Sequence, residues 1–393
     1  MAAAALTRPA DAMAVPDCPT LPKVRTLLTN QGRLESIIGD ARGRLYYTDL
    51  SNDRLLRLDG PGQQPRVLAK KMARPGGLAF DSDGSLIVGF SGGAASGVPG
   101  NGMAGIFHVD PNTGAKHVFI SGIDQANGLA RVHDGTLYTS NDIDGEIVRV
   151  GPAGAVTRHW ADVDSANGVV IDRSERFLFA AQTFTPAKIS RIEIAHPSNV
   201  ATFFSAPPQD FAAGLDGITR DGAGRLYVAA NGAGQVWRVG KDAHACALAR
   251  GLMLTSSVGF GGGGGFDRHN LYAVSFQGRV VELAGVTDKP PEVSPHGRKP
   301  ARKPHLSIVV RPRETLAGKR TRFRFTVTSN RHPVRGVRVL LGGRATVTDL
   351  RGKAQLVVRF DSAGVRDVHA SRTGYVGTHV AVRVRPEPEE ERD

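Results

Sequence analysis

Oxygen-donor side chains recur at one position of a unit that appears six times in the first 285 residues. Each copy opens an apolar stretch, as in Asn127-Gly-Leu-Ala and Asp216-Gly-Ile-Thr. The copies begin 41, 51, 40, 49 and 40 residues apart, at Glu35, Gly76, Asn127, Asn167, Asp216 and Ser256. Two carboxylates and two amide oxygens at one point form a hard-cation site. Calcium is the first candidate, and another divalent cation is the alternative.

The elements that must bring these residues together are the blades of an all-β ring. A period of 40 to 50 residues with four short strands per unit is typical of a β-propeller blade. An outer-strand segment precedes every copy, including 24–28 before the first, but none follows the sixth copy before the linker. The N-terminal strand is therefore predicted to complete the sixth blade and close the ring. Equivalent positions then converge on the axis.

Two other interpretations of these residues compete with a metal site at the axis. Asn-Gly and Asp-Gly pairs are common turn formers, so each pair alone indicates a turn. The equivalence of four oxygen donors in apolar strands favours a shared partner, because a buried polar group needs one. The stretch Asp142-Ile-Asp144-Gly145 resembles part of an EF-hand loop, but it lacks the closing Glu, and three other copies carry a blade hairpin there.

The charge distribution divides the chain. The formal net charge is +13, yet residues 1–288 hold 27 basic and 27 acidic side chains. Residues 289–386 hold 22 basic and 5 acidic ones, and 387–393 form an acidic tail. We therefore predict a leader or remnant signal segment at 1–22, the propeller at 23–286, a Pro-rich linker at 287–304 and a β-sandwich at 305–386. No apolar run approaches the roughly 18 residues that a membrane span needs.

The C-terminal segment alternates apolar residues with Arg or polar residues, as in Thr321-Arg-Phe-Arg-Phe-Thr-Val. Five such strands separated by Gly and Asp turns predict a small sandwich. The stretch from Val334 to Ala354 resembles bacterial Ig-like repeats of surface and secreted proteins. Its basic face is predicted to be a solvated surface or a contact for an anionic surface or polymer. Few aromatic residues are available for base stacking, so no specific nucleic-acid partner is expected.

Two features bear on localisation. Ala12-Met13-Ala14 resembles a signal-peptidase site, although the positive segment of a signal peptide is missing. Cys18 lies just before the ring-closing strand and Cys246 in the outer strand of blade five, so neighbouring blades allow a disulfide in an exported protein. We expect export to the cell envelope or beyond; a cytoplasmic location is the alternative.

The quoted motifs resemble the family of senescence marker protein, gluconolactonase and luciferin-regenerating enzyme, which is similar in turn to diisopropylfluorophosphatase and paraoxonase. The resemblance covers roughly residues 24–285. It implies a six-bladed propeller that holds a divalent cation at its axis through Glu35, Asn127, Asn167 and Asp216. Such proteins hydrolyse lactones or phosphorus esters, with the metal polarising the oxygen under attack. Blade one departs from the usual Glu-Gly-Pro, since Ser36 and Ile37 follow Glu35.

The resulting hypothesis is a calcium-dependent hydrolase of small lactones or esters. Asp216 is predicted to act as base or nucleophile, because it would touch the metal and face the open channel, whereas Glu35 would only ligate. Ser256, Asn231 and Gln182 are predicted to support the site or the substrate. The alternatives are a non-catalytic ligand-binding propeller with a structural metal, anchored by the basic domain, and a lyase or synthase on the same scaffold.

Overall fold

The computed structural model describes residues 14–93, 96–184, 186–292, 304–330, 332–372 and 375–387. Outside this range lie residues 1–13 of the predicted leader, 293–303 of the linker and the acidic tail beyond 387. The chain divides into two compact units, Met1–Arg298 and Lys299–Asp393, and the division falls inside the predicted linker. None of the helices in the described ranges is long and apolar enough to cross a membrane.

The first unit contains six four-stranded antiparallel sheets. In blades one to three the strands are β2 Leu34–Gly39, β3 Leu45–Asp49, β4 Arg54–Leu58, β5 Arg66–Lys70, β6 Pro75–Phe80, β7 Leu86–Phe90, β8 Ala104–Val109, β9 Lys116–Ile123, β10 Leu129–Arg131, β11 Leu137–Ser140, β12 Glu146–Val150 and β13 Val156–Asp162. In blades four to six they are β14 Ala166–Ile171, β15 Phe177–Gln182, β16 Lys188–Glu193, β17 His196–Ser205, β18 Leu215–Arg220, β19 Leu226–Ala230, β20 Gln235–Val239, β21 Ala245–Ala249, β22 Thr255–Phe260, β23 Leu271–Ser275 and β24 Val280–Ala284.

The N-terminal strand β1, Lys23–Leu28, pairs with β24 and supplies the outer strand of blade six. This confirms the predicted closure of a six-bladed propeller, in which β2 contacts both β6 and β22. One 3-10 turn, Pro208–Asp210, precedes blade five. Just before β1, the segment at Cys18 pairs with β21, where Cys18 and Cys246 form a disulfide. Closing the ring removes the free sheet edges at its seam.

Six apolar clusters hold the ring together, one between each pair of neighbouring blades. Between blades six and one, for example, Tyr47 and Leu56 pack against Tyr272 and Val280, and all four are at most 2% exposed. The apolar side chains therefore face the neighbouring blades. The strand ends nearest the axis carry the polar residues.

The second unit is a two-sheet sandwich. Its strands are β25 Ser307–Arg311, β26 Glu314–Leu316, β27 Thr321–Ser329, β28 His332–Pro333, β29 Arg338–Leu341, β30 Arg344–Val347, β31 Lys353–Val358, β32 Gly364–Ser371 and β33 Thr378–Arg385. Strands β25, β27, β28 and β31 form one sheet, and β26, β33, β32, β29 and β30 form the other. Phe323 and Phe325, which lie on the same face of β27, are buried between the sheets. The Ig-like resemblance of this unit stays a prediction.

Candidate metal centre

A β-bulge aims the first side chains of the inner strands. In blade one, Leu34 pairs with Asp49 but Ile37 pairs with Tyr47, so two residues of β2 oppose one residue of β3. The same shift occurs where β6, β14, β18 and β22 begin. A bulge of this kind re-aims a side chain out of the normal alternation. The repeated shift explains how Glu35, Asn167 and Asp216 come to line the axial cavity.

A glycine follows the residue that opens several of the copies. It is required because neighbouring inner strands approach each other closely, not because the chain turns there. A Cβ at Gly77 would lie 2.5 Å from the carbonyl oxygen of Asn127, and one at Gly128 would lie 2.3 Å from that of Asn167. Gly168 meets the carbonyl oxygen of Asp216 in the same way, at 2.5 Å. None of these three glycines has a positive φ angle. The turn interpretation of the Asn-Gly pairs is therefore wrong; the glycines let adjacent inner strands approach each other.

The four predicted ligands line one open axial cavity of about 960 Å³. Glu35, Asn167 and Asp216 are buried, with 8%, 4% and 3% of their surface exposed, and Asn127 is half-buried. Gly76 contributes no side chain, and its neighbour Gly77 lines the cavity in blade two. The structure thus brings together the residues that the repeat predicts, at one end of the inner strands.

The electrostatics of this centre are unfavourable for carboxylates alone. Burial, followed by the charge of Asp142, raises the pKa of Glu35 to about 8, although Arg33 and Arg74 oppose the shift. Burial and the charges of Glu35 and Asp142 hold the pKa of Asp216 well above its ordinary range. Like charges that share a buried site disfavour one another's ionised form. A divalent cation among them would reverse this effect.

Asp142 is the carboxylate that the sequence analysis missed as a site residue. It lies two residues beyond the end of β11, in the hairpin predicted there, and its charge raises the pKa of both Glu35 and Asp216. Asn127 opposes the rise of its own pKa that burial causes, and Gln125 accepts its backbone N–H at 2.8 Å. Its Oδ1 is buried without a hydrogen-bond partner among the described residues. The signal that could have found it is its place just beyond the second strand of the blade, since Asn231 lies just beyond the second strand of blade five.

In blades four and five, the residue after the second strand bonds to the residue that opens the copy. Thr183 accepts a hydrogen bond at 2.8 Å from the amide nitrogen of Asn167, which leaves the amide oxygen of Asn167 for a cation. Asn231 donates to Oδ2 of Asp216 at 3.0 Å. In blade three, Asn127 stabilises the ionised form of Asp142. These bonds orient the oxygen donors before any ligand binds.

Asp216 keeps one oxygen without a partner. Its Oδ2 accepts from Asn231, and the nearby backbone N–H of Gly217 lowers its pKa, but its Oδ1 is buried with no hydrogen-bond partner among the described residues. A buried, unsatisfied carboxylate oxygen costs free energy unless something fills the position. Calcium takes six to eight oxygen ligands, and the surrounding carboxylate and amide oxygens match that preference. The residues present therefore fit a divalent cation.

The remaining predicted site residues have different positions. Ser256 donates to the carbonyl oxygen of Leu34 at 2.7 Å, so it fixes the backbone beside Glu35. Gln182 faces away from the axis: its side chain donates to the carbonyl oxygen of Asp164 and accepts from Ser190. The reason is strand alternation, since Gln182 and Thr183, which bonds to Asn167, are consecutive. The prediction that Gln182 supports the site is not supported by this geometry.

A second acidic group lies elsewhere in blade three. Asp144, Glu146 and His159 have potential ligand atoms within 4.8 Å of one another. Glu146, however, accepts from Arg158 at 2.5 Å and from the backbone of His159 at 2.9 Å, and Arg158 also pairs with Asp124. None of the three lines the axial cavity. Since its buried carboxylate is already neutralised, this group is an ion-pair network.

Comparison with known proteins finds a family match that covers most of the propeller. Residues 34–277 match the model of the SMP-30/Gluconolactonase/LRE-like region. A gluconolactonase from Xanthomonas campestris is 19% identical, with a TM-score of 0.56 over 70% of this chain and 98% of that one. A calcium-binding protein, regucalcin, from Agrobacterium tumefaciens is 17% identical, with a TM-score of 0.55 over 71% and 99%. None of the curated protein sequences compared with the chain matches it. The structural likenesses support the propeller fold.

Proposed function

Because the chain belongs to the SMP-30/gluconolactonase/LRE-like family, we propose that it is a calcium-dependent hydrolase of the lactonase or esterase type. The observation that carries the proposal is the buried Oδ1 of Asp216, which has no partner and lies among carboxylates that repel one another. We assign Glu35, Asn127, Asn167 and Asp216 as the cation ligands. Asp142 acts beside them as a third negative charge.

A bound divalent cation would supply Lewis-acid polarisation of the carbonyl or phosphoryl oxygen and would acidify a water molecule. The chain supplies the positioning. The cavity admits a small lactone, ester or phosphoester at the open axis. Hydroxyl groups brace the inner strands across the blades, since Thr48 donates to the carbonyl oxygen of Gly76 at 3.0 Å and Thr183 to that of Leu215 at 3.1 Å. The donors are therefore held in place by neighbouring blades.

Asp216 is the general base in this proposal. Asn231 holds Oδ2, so Oδ1 is the atom that takes the proton from the attacking water. Attack by Oδ1 itself, with a covalent intermediate, is the second route open to the same atom. No described residue donates a side-chain hydrogen bond to Glu35, which serves as a ligand in this proposal.

The test is calcium titration into chelator-stripped protein, comparing wild type with Asp216→Ala. Lactone, aryl-ester and phosphotriester turnover is measured on the same samples. We expect tight binding in the wild type, and loss of both binding and hydrolysis in the variant. Binding without turnover of any substrate would overturn the hydrolase and favour a ligand-binding propeller. Absence of calcium binding would overturn the metal site itself.

We also propose that the protein works in an oxidising compartment outside the cytoplasm. The disulfide between Cys18 and Cys246 supports this, because structural disulfides persist in such compartments. Mass mapping of the natively expressed protein without reductant should find these residues linked. Two free thiols in exported material would contradict the pairing, and accumulation in the cytoplasm would contradict export.

A further inference from the structure

On the outer face of the smaller sheet of the C-terminal unit, every charged side chain of β25, β27 and β31 is basic. Strands β25, β27 and β31 alternate buried apolar residues with exposed ones, so one side of each strand faces away from the core. Four cations lie on the outward side, and we call them the basic face: Arg311, Arg322, Arg324 and Lys353. None of the four forms an ion pair or a side-chain hydrogen bond with another described residue.

Two of these cations oppose each other directly. Arg311 of β25 is the register partner of Arg324 of β27, and Arg322 lies two residues along the same strand. Like charges directly opposite on one sheet face destabilise the pair, because their Cβ atoms are only about 5 Å apart. No described residue of this unit offers either arginine an acidic partner. The arrangement is explained if an anion lies between them.

The outer face of the other sheet provides the contrast. There Arg383 has Glu314 as its register partner, Arg385 pairs with Glu314, and Asp367 is exposed on the central strand. Its positive charges are therefore partly balanced by acids. On the outward side of β25, β27 and β31 no described residue is acidic. Charge segregation thus distinguishes two faces of one small domain.

We propose that the basic face binds a linear phosphate polymer that carries no bases. Guanidinium groups match phosphate geometry through paired hydrogen bonds, which a point charge cannot do. Alternate strand residues lie about 7 Å apart and neighbouring strands about 5 Å apart, so the arginines can contact successive phosphates of an extended chain.

Two other polyanionic partners fit this face less well. No described outward side chain of these three strands is aromatic, so the face offers no platform on which bases could stack. Val309, 45% exposed, is the only large apolar side chain exposed there, and stable membrane binding needs a second, apolar signal besides charge.

The test uses the full-length protein and inorganic polyphosphate of defined length as the probe, in a titration at several salt concentrations. The double variant Arg311→Gln/Arg324→Gln should weaken binding about tenfold or more and flatten the salt dependence, because two phosphate contacts are lost. The matched control is Arg338→Gln/Arg383→Gln, which removes the same net charge from the outer face of the other sheet. It should change affinity by less than about threefold if the contact is local, since only long-range attraction is reduced.

A second measurement guards against misfolding. Removal of the opposed arginines should leave the thermal unfolding midpoint of the protein unchanged or raise it, because a repulsive pair disappears. Equal weakening by the two double variants would overturn the proposal and indicate bulk charge alone. Tighter binding of single-stranded DNA, or of phosphatidylglycerol vesicles, than of polyphosphate would also overturn it. No measurable polyphosphate binding would do the same.

Discussion

The same inner strands carry buried carboxylates at both ends, and the two ends are treated differently. Strand β18 has Asp216 near its start, and Asp221 follows its end. Asp221 accepts from Arg225 at 2.6 Å, from Tyr227 at 3.1 Å and from Thr287 at 3.0 Å, as well as from two backbone N–H groups. Asp216, by contrast, accepts from the side-chain amide of Asn231 and keeps an oxygen with no hydrogen-bond partner among the described residues.

Blade one repeats this difference. Glu35 opens β2 among other carboxylates, whereas Asp40, just past the strand, accepts from Arg44 at 2.7 Å and from Tyr46 at 3.0 Å. Burial alone therefore does not mark a functional acid. A carboxylate whose lone pairs are filled by arginine, tyrosine and backbone groups stabilises the fold. A carboxylate that lies among other acids destabilises the fold in its ionised form and is available to a cation.

The largest expected effect is on catalysis, from a substitution at the Asp216 end of strand β18. Asp216→Asn keeps an oxygen ligand but removes the base, so turnover at saturating calcium should fall about 10²- to 10⁴-fold. The measurement is kcat with calcium occupancy determined separately on the same sample. Appreciable activity combined with weakened calcium binding would mean that Asp216 only ligates the metal.

A substitution at the opposite end of strand β18 should change the stability of the protein rather than its catalysis. Asp221→Ala removes the acceptor of Arg225, Tyr227 and Thr287, and we expect a loss of about 2–4 kcal/mol in the free energy of unfolding. Arg225 retains Asp288, which limits the cost. Denaturant unfolding of the calcium-free protein measures this loss. Calcium affinity should stay within a factor of about two, since Asp221 lies at the other end of the strand. A large loss of affinity would erase the distinction between the two ends.

The pH dependence of calcium binding sharpens the comparison. The pKa of Glu35 is raised from 4.5 to about 8. Between these pH values, the carboxyl group of Glu35 is protonated in the folded, metal-free protein but ionised in the unfolded chain. Stability of the metal-free protein should therefore fall as pH rises between these values, and calcium affinity should rise by up to about tenfold per pH unit for each proton released. Calorimetry in buffers of different ionisation enthalpy counts the protons. A flat profile would contradict buried, protonated acids at the axis.

The smallest expected effect is again structural. Tyr227→Phe removes one hydrogen bond to Asp221 and should cost about 1–2 kcal/mol in the free energy of unfolding. Tyr46→Phe makes the equivalent change beside Asp40 in blade one and should cost a similar amount. Turnover of both variants should match the wild type. A tenfold loss of turnover in either would show that the two ends are coupled.

Much of the ring could be predicted, because its information is repeated along the chain. Six copies at regular spacing fix the blade count and the equivalence of Glu35, Asn127, Asn167 and Asp216, and the missing outer strand of blade six predicts the closure by β1. Hydrophobic alternation also predicts the buried face of β27. These features depend on local pattern and on the repeat, and both can be read directly from the order of residues in the sequence.

Only the tertiary structure decided which polar residues meet. Thr183 bonds to Asn167 and Asp142 acts on the charge of Asp216, whereas Gln182 bonds to Asp164 and Ser190, because bulges and strand ends set side-chain direction. Likewise Asp221 resembles Asp216 in sequence, and only packing supplies the arginine and tyrosine that satisfy it. Close approach of neighbouring strands, rather than turn formation, explains Gly128 and Gly168. The repeat determined which positions converge, and three-dimensional packing determined which of their charges are left for a ligand.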